Sequence, residues 1–221
     1  MREIILDTET TGISVKEGHR IVEIACIELN DLMPTGLEFH CLLNPERKVS
    51  ENAFKIHGFS DETLSKQKKF NQIKGQFLNF IKDKTLIIHN SEFDLSHLNN
   101  ELLLSGDKPL NNKIIDTLSL ARTKFPGAQN SLDALCKRYR IDNSMRSKHN
   151  ALLDCSLLAK VYINLIDQKE PTLNFQKNEK ENTDTSIEKV SYYKKVVSPS
   201  DEEIKKHNEY LKLNLKKNYF N

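Results

Sequence analysis

The sequence predicts an α/β sandwich, a mixed β-sheet carrying helices on both faces. Three observations predict it. Strand-like apolar runs crowd into the first 45 residues with short connections, as an antiparallel meander requires. The apolar period then changes from two to the helical value. Beyond that point helical stretches alternate with short buried strands.

Taken in order, Glu3–Asp7 reads as a buried strand, His19–Asn30 as a second and Leu37–Pro45 as a third, with "MPTG" as the turn between the last two. Phe70, Ile73, Phe77, Phe80 and Ile81 recur at helical spacing and predict an amphipathic helix within Gln67–Asp83. "TLIIHN" (Thr85–Asn90) is a short buried strand. A helix over Glu92–Ser105 follows, stopped by Gly106 and by Pro109 beyond it. Asn112–Asp116 is a last strand, and Thr117–Lys124, Ser131–Tyr139 and Asn150–Asp167 fit three more helices. From Glu170 the chain turns polar and charged with no sustained apolar period, which predicts a disordered linker over 170–197 after a first domain of 1–169. Order returns in the segment 198–221. Ser200 with Glu203 is a capping-box signature, and Ile204, His207, Leu211 and Leu215 form the narrow apolar stripe of a short C-terminal helix. Such a helix needs a surface to pack on.

Composition bounds the function. The chain has 221 residues, 29% of them charged, with a formal net charge of +2, a balance that does not point to a strongly basic clamp and does not exclude nucleic acid. The cysteines Cys26, Cys41, Cys136 and Cys155 have neither CxxC spacing nor a paired framework and read as reduced thiols. No apolar run approaches membrane-spanning length, and the N-terminus lacks the pattern of a signal peptide.

The chemistry-bearing residues are acids in apolar company. Asp7 and Glu9 share one side of an extended chain, because strand side chains alternate. Asp154 lies three and four residues before Leu157 and Leu158, and Asp94 lies four before Leu98, so both project along apolar helix faces. A carboxylate facing a core costs several kcal/mol unless a cation or hydrogen bonds satisfy it. One such acid is commonly satisfied by Arg or by backbone amides. Two of them on separate helices, added to a two-acid strand end, favour a shared site for hard oxygen-loving ions, Mg²⁺ or Mn²⁺, over zinc. His149 precedes Asp154 by five residues, about 140° apart on one helix. Asn150 as the N-cap would instead leave His149 on the preceding loop, beside Asp154.

"LDTETTG", "GHRIVEIACIEL", "FHCLLNP", "FKIHGFSDETL", "IIHNSEFD", "FPGAQNSLDALCKRYRIDNS" and "HNALLDCSLLAKVY" together resemble the DEDDh exonucleases of the DnaQ-like superfamily, and within it the proofreading ε subunits of bacterial DNA polymerase III. The resemblance runs in family order through Arg2–Leu165. It implies a ribonuclease-H-like fold and 3′→5′ hydrolysis of single-stranded or frayed DNA ends by two divalent cations. It assigns Asp7, Glu9, Asp94 and Asp154 to the metals and His149 to the general base. Asp7, Glu9, Thr10, His57, Phe93 and Asp154 become substrate contacts, with Thr11 and Gly12 presenting backbone and His89 structural. Relatives carry an acid where Asn52 stands, which puts a substrate contact there in question. The C-terminal segment resembles the part by which ε docks on the polymerase α subunit. A small θ-like third subunit and a bacterial cytosolic, replisomal setting belong to the same implication. Two readings stand beside it: a stand-alone DEDDh exonuclease trimming RNA or repair intermediates, and a non-catalytic scaffold that stabilises a polymerase.

Overall fold

The structure is a computed structural model that describes residues 1–146, 148–166 and 199–214. It divides into two compact units, Met1–Asn174 and Phe175–Asn221. The linker expected over 170–197 and the stripe residue Leu215 lie outside the described residues.

The first unit is built on a five-stranded sheet of order β3-β2-β1-β4-β5. Its strands are β1 (Arg2–Thr10), β2 (Ile21–Asn30), β3 (Met33–Leu42), β4 (Thr85–Ile88) and β5 (Ile114–Asp116). β1 is central because it is apolar on both sides: Ile4, Ile5 and Leu6 are all fully buried. Burial of each stabilises the sheet by about 1.5–3 kcal/mol. β1 pairs antiparallel with β2 and parallel with β4, as a meander followed by crossovers requires.

Two apolar cores flank it. Ile5, Ala25 and Ile27 face α5 (Thr117–Lys124), α6 (Leu132–Tyr139) and α7 (Ala151–Leu165). Ile4, Leu6 and Ile24 face the other way, onto α3 (Phe70–Ile81) and α4 (Ser91–Leu104). The sandwich with helices on both faces is therefore the observed fold.

Three local expectations need correction. β1 does not stop at Asp7. It continues through Thr10 with Glu9 opposite Glu23, so Glu9 as well as Asp7 lies within the paired strand. "MPTG" is not the turn before the third strand, because Met33 and Pro34 already pair with Asn30 and Leu29. The reversal is the two-residue step Asp31–Leu32, both at positive φ (48° and 67°), the type I′ geometry that matches the twist of a hairpin. β3 accordingly spans Met33–Leu42 rather than Leu37–Pro45.

Two helices without a counterpart in the sequence reading are α1 (Glu51–His57) and α2 (Asp61–Ser65). Ser50 and Ser60 cap them, each side chain accepting from the backbone N–H three residues on. α8 (Asp201–Asn214) carries the expected capping box. The Ser200 N–H donates to Glu203 Oε2 at 2.8 Å, and the Glu203 N–H returns a bond to Ser200 Oγ at 3.4 Å.

Candidate active site

The site lies where β1, β4, α4 and α7 come together. Asp7 and Glu9 point to the α7 face of the sheet, as Ile5 does, while the intervening Thr8 points to the α4 face. Asn90, at φ 70°, turns the chain sharply from β4 into α4 and sets the first turn of that helix beside the end of β1. Asp94 thereby reaches Thr8, whose hydroxyl donates to Asp94 Oδ1 at 2.7 Å. On the opposite face, Asn150 caps α7 by accepting from the Leu153 N–H at 3.1 Å. Asp154 follows in that first turn, and His149 is left on the loop before it.

A cleft of about 570 Å³ results, and Asp7, Glu9, Asp94, Asp154, His149 and Phe93 all line it. Glu9, Asp94 and Asp154 are 9%, 2% and 3% exposed, whereas the His149 side chain is 46% exposed and open to an incoming ligand. His149 Nδ1 stands 3.6 Å from Asp154 Oδ2 and 4.0 Å from Glu9 Oε1. One atom each from Glu9, His149 and Asp154 falls within a 4.8 Å span, close enough to share a cation.

A second cavity, of about 500 Å³, adjoins and is lined by Glu9, Thr10, Gly12, Asn52, His57 and Phe93. Phe93 and Glu9 border both spaces. Thr10 and Asn52, from separate elements, thus meet at this cavity rather than at the acid cluster. His57 is buried there, its Nδ1 accepting from the Phe59 N–H at 3.0 Å. Thr11 sits behind the wall, its hydroxyl 3.0 Å from His19 Nδ1. His89 also lines the first cleft and pairs with the Thr117 hydroxyl at 2.9 Å.

The electrostatics of the bare cluster are those of acids short of positive charge. Burial, then Asp94, Glu9 and Asp154, push the Asp7 carboxyl well above the usual carboxylate range. Burial and the neighbouring Asp154, Glu23 and Asp94 push Glu9 up to about 8. Burial pushes Asp94 up to about 7, against the opposing Thr8 hydrogen bond. Burial and the adjacent Arg146 hold His149 below its ordinary value. Such a donor set fits hard divalent cations. It is all oxygen apart from one imidazole, and it cannot be fully ionised without added positive charge.

Two charged residues beside the acid cluster escaped the sequence reading. Arg146 donates to Asp154 through Nε (2.5 Å to Oδ1) and Nη2 (2.7 Å to Oδ2), while Nη1 reaches Asp133 at 2.7 Å. Nη2 also donates to His149 Nδ1 at 3.0 Å. A guanidinium has no acceptor, so Nδ1 must be the accepting nitrogen of that pair. The second is Glu23, fully buried on β2 opposite Glu9. The fold demanded a cation among so many acids, and that demand was the available signal for Arg146.

Comparison with known proteins places this geometry. The Exonuclease family matches residues 4–162. DNA polymerase III subunit epsilon of Rickettsia typhi is 47% identical over 219 residues, covering 96% of each chain. The protein of that name from Escherichia coli K12 is 40% identical over 230 residues, covering 98% of this chain and 94% of its own. Among solved structures, exonuclease X in complex with 5′ overhanging duplex DNA superposes with a TM-score of 0.58 at 25% identity, over 75% of this chain and 92% of that one. The nuclease domain of 3′hExo, a DEDDh family member bound to rAMP, shares the fold with a TM-score of 0.66 at 20% identity, over 76% and 92% of the two chains. Agreement along nearly the full length of both sequences decides the assignment: the chain belongs to the exonuclease family and, within it, to the DNA polymerase III epsilon subunits.

Proposed function

We propose that this chain is the proofreading exonuclease of a bacterial replicative polymerase, hydrolysing the last phosphodiester at a mispaired 3′ end and releasing a nucleoside 5′-monophosphate. The observation that carries the reading is the convergence of Asp7, Glu9, Asp94 and Asp154, from one strand and two helices on opposite faces of a sheet, beside an exposed histidine.

Asp7, Glu9, Asp94 and Asp154 would hold two divalent cations, Mg²⁺ or Mn²⁺. When bound, such ions supply charge neutralisation for the phosphodiester and a more acidic water. The chain's own residues do the rest. His149, at the open side of the cleft, takes the proton of the attacking water, a role suited to imidazole, whose ordinary pKa lies near neutrality. Asp154 and Glu9, flanking Nδ1, favour the imidazolium that results. Thr8 fixes the orientation of Asp94. Phe93, between the two cavities, offers an aromatic face to a base, and Thr10, Asn52 and His57 line the space for the terminal nucleotide.

The domain plan extends this reading: a catalytic domain of 1–169, a linker of 170–197 and a segment of 198–221 that docks on the polymerase α subunit, in the replisome of the bacterial cytosol. A small third subunit of the θ type is the further expected partner. No described helix is long and apolar enough to cross a membrane.

The deciding experiment compares a mismatched DNA primer with an RNA of the same sequence, with and without divalent metal, using wild type and the Asp7→Ala, Glu9→Ala double variant. Metal-dependent release of deoxynucleoside monophosphates by wild type alone is expected. Activity that survives in the double variant overturns the metal assignment, and preference for the RNA favours a trimming enzyme.

A further inference from the structure

Glu23 takes no part in the chemistry above, yet it is a completely buried acid one strand away from Glu9. Its three polar partners converge from two directions. Its Oε1 pairs with His40 Nε2 at 2.7 Å and accepts from Asn150 Nδ2 at 2.9 Å, and its Oε2 accepts from the Ala151 N–H at 3.0 Å. The last two donors belong to the residues that immediately follow His149. On the other side, the His149 N–H itself donates to the Ile56 carbonyl at 3.1 Å. The chain at His149 is therefore pinned from two sides, to α1 and to β2.

This arrangement is expensive for a purely structural contact. A buried carboxylate loses its hydration, and a well-packed apolar side chain commonly closes such a gap at no loss of stability. What an apolar residue cannot do is fix a direction. A carboxylate accepting a backbone N–H from the first turn of α7 and the side chain of its N-cap sets both the depth and the rotation of the helix entry. A histidine with an otherwise open side chain has its backbone position determined there.

We propose that Glu23 is a positioning residue, holding His149 at its working distance from Asp154 and Glu9 by tying Asn150 and Ala151 to the sheet. The inference rests on His149 being the general base. Loss of about 1 Å of registration at a reacting group costs up to 10²-fold in rate.

The test is a double-mutant cycle with Glu23→Gln, Glu23→Ala and His149→Ala on the full chain, read as steady-state kcat and KM on a DNA primer. Calorimetric binding of Mn²⁺ to metal-stripped protein is measured alongside. Glu23→Gln is expected to lower kcat by about 10- to 100-fold with KM changed less than about twofold, and to add less than about twofold once His149 is Ala. Mn²⁺ affinity is expected to stay within about twofold of wild type. Should Glu23→Ala fail to fold, the isosteric Gln variant carries the cycle alone. Additive losses in the cycle, or a Mn²⁺ affinity that falls tenfold or more, overturn the inference and leave the base assignment standing. Full activity in His149→Ala overturns the base assignment, and the positioning role falls with it.

Discussion

Arg146 and Asp154 form a two-pronged pair, Nε to Oδ1 at 2.5 Å and Nη2 to Oδ2 at 2.7 Å, in a site whose other acids are under-neutralised. The same guanidinium occupies the accepting nitrogen of His149. A cation bound by Asp154 competes with Arg146 for the same oxygens, and proton uptake at Nδ1 requires Arg146 to let go.

Replacing Arg146 with Gln therefore costs much more stability in the metal-free state than in the metal-bound one. Without metal, Asp154 is left buried and unpaired, a loss of about 3–5 kcal/mol by analogy with broken buried ion pairs. With saturating Mg²⁺ most of that loss is recovered, because the ion satisfies Asp154 in its place. Thermal unfolding in EDTA and in excess MgCl₂ checks this. The Mg²⁺-induced rise in Tm should be larger for the variant than for wild type.

The raised acids give a pH signature. Glu9 and Asp94 titrate near 8 and 7 in the folded chain against ordinary values of 4.5 and 3.8, and Asp7 is raised as well. The folded state thus holds protons that the unfolded state has released, so their contribution is present at low pH and lost as pH rises towards 8. His57, His89, His97 and His149 are all lowered, so their effect is opposite in sign and falls at and below their ordinary value of 6.5. Between about pH 6.5 and 8 the carboxyls dominate. Metal-free protein is expected to lose stability with rising pH across that window in urea titrations, and added Mg²⁺ to flatten the slope.

Phe93 borders both cavities, in contact with the His97 ring at a centroid distance of 4.7 Å. Phe93→Ala should raise KM for single-stranded DNA by about 5- to 100-fold, the equivalent of one lost base–aromatic stack. Mn²⁺ binding, measured by calorimetry, should be unaffected because no acid has been touched.

Deleting residues 170–221 separates catalysis from docking. The remaining domain contains every residue of the acid cluster and both flanking cores. Full nuclease activity with loss of co-elution with the α subunit on gel filtration is the expected result.

How much of this was legible in the sequence depends on how each feature advertises itself. α4 and α7 carry long apolar faces, and Asp94 and Asp154 were conspicuous because each interrupts one of those faces. Asp31–Leu32 was missed because Leu is a poor residue for positive φ, so Pro34 and Gly36 drew the turn into the segment immediately downstream. α1 and α2, seven and five residues long, are too short to display a period and showed only their Ser caps. Arg146 looked like part of an exposed basic stretch, "MRSKHN", yet its side chain is only 7% exposed. Glu23 occupied the polar position of an alternating strand, and alternation reads as solvent-facing. β2 is buried on both faces, so that rule pointed the wrong way.

The two apolar cores touch the acid site from opposite sides, one through Asp94 and the other through Asp154, with a single layer of backbone between them. The separation of those two carboxylates is thus gauged by the thickness of the sheet and its helix seats. A shaved side chain under either helix, at Leu98 or at Leu158, would alter that gauge well before it unfolded the chain. Fidelity of copying, in such a molecule, is exposed to mutations that never approach the DNA.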